Sequence, residues 1–374
     1  MLSLLMPVYN SLSGQNLAFK FLDQAIGSLQ AQTVTEFELI ILDNQSTDNT
    51  FEYCEEIARQ DSRIKVFRDD AHRSPEEAIR KLSELSESDY CAIVNDDDMW
   101  DSRYFETLVT LLESNHAISL AYTNGRYLSP SGKRLGRIDT KPSAIYSTSS
   151  TCQSNFHNYL KYRNPFPISF GLFRRESFVG SYPSKVFDSY GMNLDNIFIA
   201  NFIRRGNSII HLDTDLFFYR NKKRALHFDR LVDTQTFNPC DVFIRLVTHQ
   251  LQLAAELISS GNCYKSVLSM DWANEEILLS TLESIEYLIT WIMMKYPLSY
   301  EEFNQVKQFR TLMSESTFQR SLDMNCENHR PTNSGIIHDH LKHLKKSLEG
   351  AFGESENLRT PLHSLLSIIS SLQN

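Results

Sequence analysis

A chain of 374 residues exceeds what one ordinary hydrophobic core supports, so one large domain with a smaller companion, or two domains, is expected. Hydrophobic residues at 41% and charged residues at 22% describe a soluble globular protein, and a formal net charge of -9 excludes a general nucleic-acid binder, which would carry a basic face. The six cysteines (Cys54, Cys91, Cys152, Cys240, Cys263 and Cys326) show neither paired metal spacing nor a disulfide framework, and read as reduced thiols of a cytoplasmic protein.

The opening MLSLLMPVYN is apolar but lacks a charged leader and is cut by Pro7, so it reads as a strand and not as a signal peptide. NLAFKFLDQAIGSLQAQ follows with apolar residues at helical spacing. FELIILDN (strand), DNTFEYCEEIARQ (helix), RIKVFRD (strand), SPEEAIRKLSELS (helix) and YCAIVND (strand) continue the alternation. Ser74 before Pro75, Glu76 and Glu77 predicts a helix start, with a capping hydroxyl, proline in the first turn and acids at the positive end of the dipole. Repeated β-α-β order predicts a doubly wound, mostly parallel α/β sheet flanked by helices, whose ligands bind outside the carboxyl ends of the strands.

The unusual polar residues all fall at those ends. Pro7, Val8, Tyr9 and Asn10 follow the first strand, Asp43, Asn44 and Ser46 the second, and Asn95 to Asp98 the fourth. Neither a G-x-G-x-x-G fingerprint nor a P-loop occurs, so phosphates have to be held by other means. Asp96, Asp97 and Asp98 are adjacent; like charges this close repel unless a cation sits among them or one loses its charge.

In order and spacing, MPVYN, FELIILDNQSTDNT and VNDDDMW make residues 1 to about 230 resemble the family 2 glycosyltransferases of GT-A fold. The resemblance implies a nucleoside-diphosphate sugar donor held by Pro7, Val8, Tyr9, Asn10, Asp43, Asn44, Ser46, Asn95 and Asp96. It implies Mn²⁺ or Mg²⁺ on Asp97 and Asp98, with His227 as a further candidate. Asn95 stands where the family has its first acid, which keeps an oxygen acceptor and removes a charge. Asp195 in MNLDNIFIANFIRRG falls on the family's catalytic base, with Leu194 where an acid normally precedes it. Arg220 and Lys223, in the basic stretch that also carries Lys222, Arg224 and Arg230, are expected at the diphosphate, where positive charge stabilises a leaving group. YRNPFPISFGLFRRESF lies where the family keeps its acceptor surface, and its aromatics suit either a sugar ring or a core strand.

The expected organisation is a catalytic domain at 1–232 and a helical region at 233–374, built from runs such as CDVFIRLVTHQLQLAAELI and LRTPLHSLLSIISSL. The reaction implied is inverting transfer of a sugar to a saccharide or lipid-linked acceptor. A nucleotidyltransferase, or a degenerate domain that only scaffolds partners, are the alternatives. No run is long enough to span a bilayer. A cytoplasmic location, peripheral contact with the inner face of a membrane, and self-association through the helical region are all compatible with this pattern.

Overall fold

Four apolar runs form parallel strands: β1 (Leu2–Val8), β2 (Phe37–Asp43), β3 (Ile64–Arg68) and β4 (Tyr90–Ile93). The structure, a computed structural model, describes residues 1–14, 20–138, 151–162, 167–181 and 194–220. Beyond these it describes 247–258 except 249, 266–295 and short stretches between 304 and 370. β1 and β2 are almost wholly buried, as continuous Leu/Ile runs in a parallel sheet covered on both faces should be. The intervening helices are α1 (Phe21–Gln30), α2 (Thr50–Gln60) and α3 (Pro75–Leu85). α3 begins as its sequence predicts: Ser74 accepts the Glu77 amide, and the Glu77 carboxylate accepts the Ser74 amide in return.

The chain then adds β5 (Met99–Trp100), α4 (Tyr104–Ser114), β6 (Leu120–Leu128), β7 (Arg134–Arg137), α5 (Cys152–Tyr162), β8 (Leu172–Arg174), α6 (Arg175–Ser181), α7 (Leu194–Arg204) and β9 (Ile209–Arg220). The sheet order is β3-β2-β1-β4-β8-β6-β9-β5, with β7 paired to β6. One half is parallel throughout; β8 enters antiparallel to both β4 and β6, and β6 runs parallel to β9. From β1 the chain moves to β2 and β3 on one side and to β4 on the other. The crevice at their carboxyl ends is therefore the switch point where such sheets bind ligands. Register aligns Val8 with Asp43 and Asp43 with Arg68, so the polar residues end in one row.

The insertion of β8 requires close packing at Gly171. A Cβ there would stand 2.6 Å from the Ala121 carbonyl oxygen and 2.7 Å from Leu120 Cδ1, and backbone cannot retreat as a flexible side chain would. Gly171→Ala should cost about 1–3 kcal/mol of unfolding free energy, measured by urea denaturation.

The chain divides into two compact units, Met1–Lys222 and Lys223–Asn374; the expected boundary at 232/233 lies outside the described residues. The second unit contains α8 (Met270–Lys295) and helical residues at 250–258 and 366–370. Val247, Leu251, Ala254 and Leu257 are all buried, which is the stripe an amphipathic helix turns inward. Among the described residues, no helix is long and apolar enough to cross a membrane.

Candidate functional site

Three strand ends are tied to one another by hydrogen bonds. After β1, Asn10 adopts a left-handed backbone (φ 50), a conformation asparagine tolerates better than most residues. Its amide donates to Ser46 Oγ at 2.9 Å, and its side-chain oxygen accepts the Thr47 amide at 2.8 Å. The Leu12 amide donates to the Asp48 carboxylate at 3.1 Å, and the Ser11 hydroxyl donates to the Asp96 carboxylate. The loops after β1, β2 and β4 thus share one rim.

Asp43, the last residue of β2, is fully buried. One carboxylate oxygen accepts the Ser46 amide at 3.2 Å and lies 3.5 Å from Arg68 Nε; the other has no hydrogen-bond partner among the described residues. Asn44 holds the loop after β3 by a reciprocal pair, its oxygen accepting the Arg73 amide at 2.8 Å and its NH₂ donating to the Arg73 carbonyl at 2.9 Å. In the same loop, burial acts against the charge of Asp69, but Arg73 and Lys81, each 2.7 Å away, hold its carboxyl well below the usual range. This anchoring brings the His72 ring to 4.6 Å from that of Tyr9, which is 48% exposed. Sequence reasoning missed His72, Asp69 and Arg73, because only the fold brings the loop after β3 across the end of β2 to Tyr9. The carboxylates of Asp43, Asp96 and Asp48 act on one thiol: burial first, then these three charges, push Cys54 up to about 12. Cys54 is therefore an inert part of the core, not a nucleophile.

The three adjacent carboxylates coexist because they face different partners. Asp98 is fully buried, accepting the Arg220 amide at 2.8 Å on one oxygen and the Asn95 NH₂ at 2.8 Å on the other. Burial and then the neighbouring Asp97 charge push its carboxyl well above the ordinary value. Asp96 is engaged by Ser11, and Asp97 is half-buried between them. Asn95 thus gives its NH₂ to Asp98, and Asp98 receives a hydrogen bond on each oxygen from within the protein.

Arg220 ends β9 beside this turn. Its guanidinium is turned inward, 2% exposed, and donates to the carbonyls of Asp97 (2.6 Å), Ser129 (3.3 Å) and Pro130 (3.1 Å) and to Gln24 Oε1 (2.8 Å). Lys223 and His227 lie outside the described residues.

Asp195 is exposed in the first turn of α7. The helix packs against α5, α6 and the 3₁₀ turn Ile168–Phe170, which itself contacts β4 and β6. The buried Tyr159 hydroxyl donates to the Asn196 carbonyl at 3.2 Å and lies 3.0 Å from its side-chain oxygen, fixing the turn that carries Asp195. Of the aromatics in the stretch YRNPFPISFGLFRRESF, those described pack within the catalytic unit. Phe173 and Phe178 are buried against Phe198, and Phe170 stacks on Phe217 at 5.3 Å.

Among the described residues, no group of three or more His, Cys, Asp or Glu is arranged to hold a metal ion. The donor set nevertheless suits an ion that arrives with its ligand. Mg²⁺ and Mn²⁺ favour oxygen and commonly use one or two carboxylates plus substrate phosphates, and the turn after β4 carries the half-buried Asp97.

Comparison with known proteins bears on the family and the fold. The family model described as glycosyl transferase family 2 matches residues 3–178. An uncharacterized glycosyltransferase of Haemophilus influenzae is 26% identical over 196 residues, 52% of this chain and 71% of that protein. The Escherichia coli UDP-Glc:alpha-D-GlcNAc-diphosphoundecaprenol beta-1,3-glucosyltransferase WfgD is 28% identical over 125 residues, 33% of this chain and 45% of its own. Among solved structures, S. aureus TarS 1-349 in complex with UDP-GlcNAc aligns with 100% of this chain and 90% of that one, at a TM-score of 0.52 and 16% identity, a likeness of fold.

Proposed function

We propose that the chain, whose residues 3–178 match the glycosyl transferase family 2 model, is a glycosyltransferase of that family, with a nucleoside-diphosphate sugar donor and an inverting mechanism. The observation that carries the reading is the single rim made by the Asn10–Ser46, Leu12–Asp48 and Ser11–Asp96 hydrogen bonds at the switch point of the sheet. The nucleoside lies along this rim, its base against the exposed Tyr9 ring and its polar edge toward the loop of Asp43, Asn44 and Ser46. The diphosphate reaches Asp97. Uridine is the first base to test, because WfgD is named for UDP-Glc and TarS was solved with UDP-GlcNAc. A saccharide or lipid-linked acceptor follows from the same source, WfgD being named for a diphosphoundecaprenol-linked sugar.

In the proposed step the Asp195 carboxylate removes the proton of the acceptor hydroxyl. The freed oxygen attacks the anomeric carbon from the face opposite the diphosphate, and the bond to the diphosphate oxygen breaks. One displacement inverts the configuration and needs no covalent intermediate. Mn²⁺ or Mg²⁺, when bound, offsets negative charge on the departing diphosphate. Asp97 is the carboxylate proposed to hold it; Asp98 and Asn95 keep the turn in shape.

Thermal shift with a panel of nucleoside diphosphates and their sugars tests the donor reading. UDP with Mn²⁺, at about 100 times its dissociation constant, should stabilise the protein by about 2.7 kcal/mol, a shift of several degrees. A panel that raises the melting temperature with no member, with or without metal, would reject it.

A further inference from the structure

A guanidinium that is 2% exposed at the end of β9 needs a reason beyond strand formation. The Arg220 side chain joins three segments that are remote in sequence: α1 through Gln24 and through the Phe21 ring, whose centroid lies 4.5 Å away, the hairpin carbonyls of Ser129 and Pro130, and the acidic turn through the Asp97 carbonyl. Its main-chain amide holds Asp98. One residue thus grips the acidic turn twice, by the carbonyl of Asp97 and by the carboxylate of Asp98.

We propose that Arg220 is a positioning residue of the donor site, setting where the Asp97 carboxylate stands for a metal–diphosphate ligand. The inference rests on the reading of Asp97 given above. A planar fork with five donors can satisfy carbonyls that converge from several directions, which a lysine ammonium cannot. The fixed positive charge also lies close to Asp97 and Asp98 and offsets repulsion within the turn. Side chains one step behind a metal ligand commonly set its affinity by orientation, and their loss costs about 10–100-fold.

Arg220→Lys and Arg220→Met are measured by calorimetry with UDP, in the presence and absence of Mn²⁺, and by hydrogen exchange of residues 95–98. Positioning predicts a loss of about 10–100-fold in the Mn²⁺-dependent UDP affinity, faster exchange in the acidic turn, and unchanged metal-free UDP affinity. Gln24→Ala, which removes one acceptor and leaves the arginine in place, should give the same pattern at smaller amplitude, and serves if the arginine variants fail to fold. Folded variants that bind UDP with Mn²⁺ as wild type does, or that lose metal-free and metal-dependent binding equally, would overturn the role. Wild-type protein without any Mn²⁺-dependent UDP affinity would instead overturn the donor reading of Asp97, and this inference with it.

Discussion

Asp195→Asn should lower sugar transfer by about 10²- to 10⁴-fold, the range a positioned general base contributes. The substitution keeps the size of the side chain and its hydrogen-bonding reach, and removes only its ability to take a proton. Asp195 lies in the first turn of α7 and is exposed. A carboxylate near a helix N-terminus contributes about 0.3–1 kcal/mol through the dipole, and the melting temperature should fall correspondingly little. Donor affinity should stay at the wild-type value, because the acceptor's proton is not part of donor binding. Near-normal turnover of the variant with the true donor and acceptor would remove Asp195 from the chemistry.

Asp97→Ala should abolish the part of nucleoside diphosphate binding that depends on Mn²⁺, since the phosphate charge then loses its bridging ion. The Arg220 hydrogen bond to this residue is made to its carbonyl, which the substitution keeps. Asp98→Ala is the contrasting substitution. It removes a fully buried acceptor of two hydrogen bonds, leaving the Asn95 NH₂ and the Arg220 amide unpaired at about 1–3 kcal/mol each. Loss of metal-dependent affinity at Asp97 with intact stability, set against loss of stability at Asp98, separates ligand from support. Equal metal-dependent affinity in wild type and Asp97→Ala by calorimetry would sink the assignment.

The parallel half of the sheet was readable because its information is local. Apolar runs of strand length, helical spacing between them and the Ser74–Glu77 cap each depend on residues a few positions apart, and β1 to β4 and α2 and α3 follow. The rim was readable for a similar reason, since the carboxyl end of a strand is known once the strand is. The fate of individual polar side chains was not. Asn95 and Asp98 are three residues apart, yet nothing in NDDD tells whether the amide turns outward to a ligand or back onto the carboxylate. Arg220 is separated from Asp97 by 123 positions, and its burial follows only from the closure of β9 onto the acidic turn. The aromatics of YRNPFPISFGLFRRESF pose the same difficulty: the composition suits a sugar platform, while the packing of α6 and α7 consumes Phe173, Phe178 and Phe198 in one cluster.

The left-handed Asn10 has a kinetic and entropic meaning as well as a geometric one. Its two bonds to Ser46 and Thr47 lock the loops after β1 and β2 in the free protein, so the ordering entropy of this edge is lost during folding and not when the donor arrives. A nucleotide that meets an edge already set does not wait for it to form, and its association should approach the rate of a rigid docking event. Asn10→Ala would return that disorder to the free state. The donor would then have to organise the loops itself, with a slower approach and a less favourable entropy of binding for the same contacts.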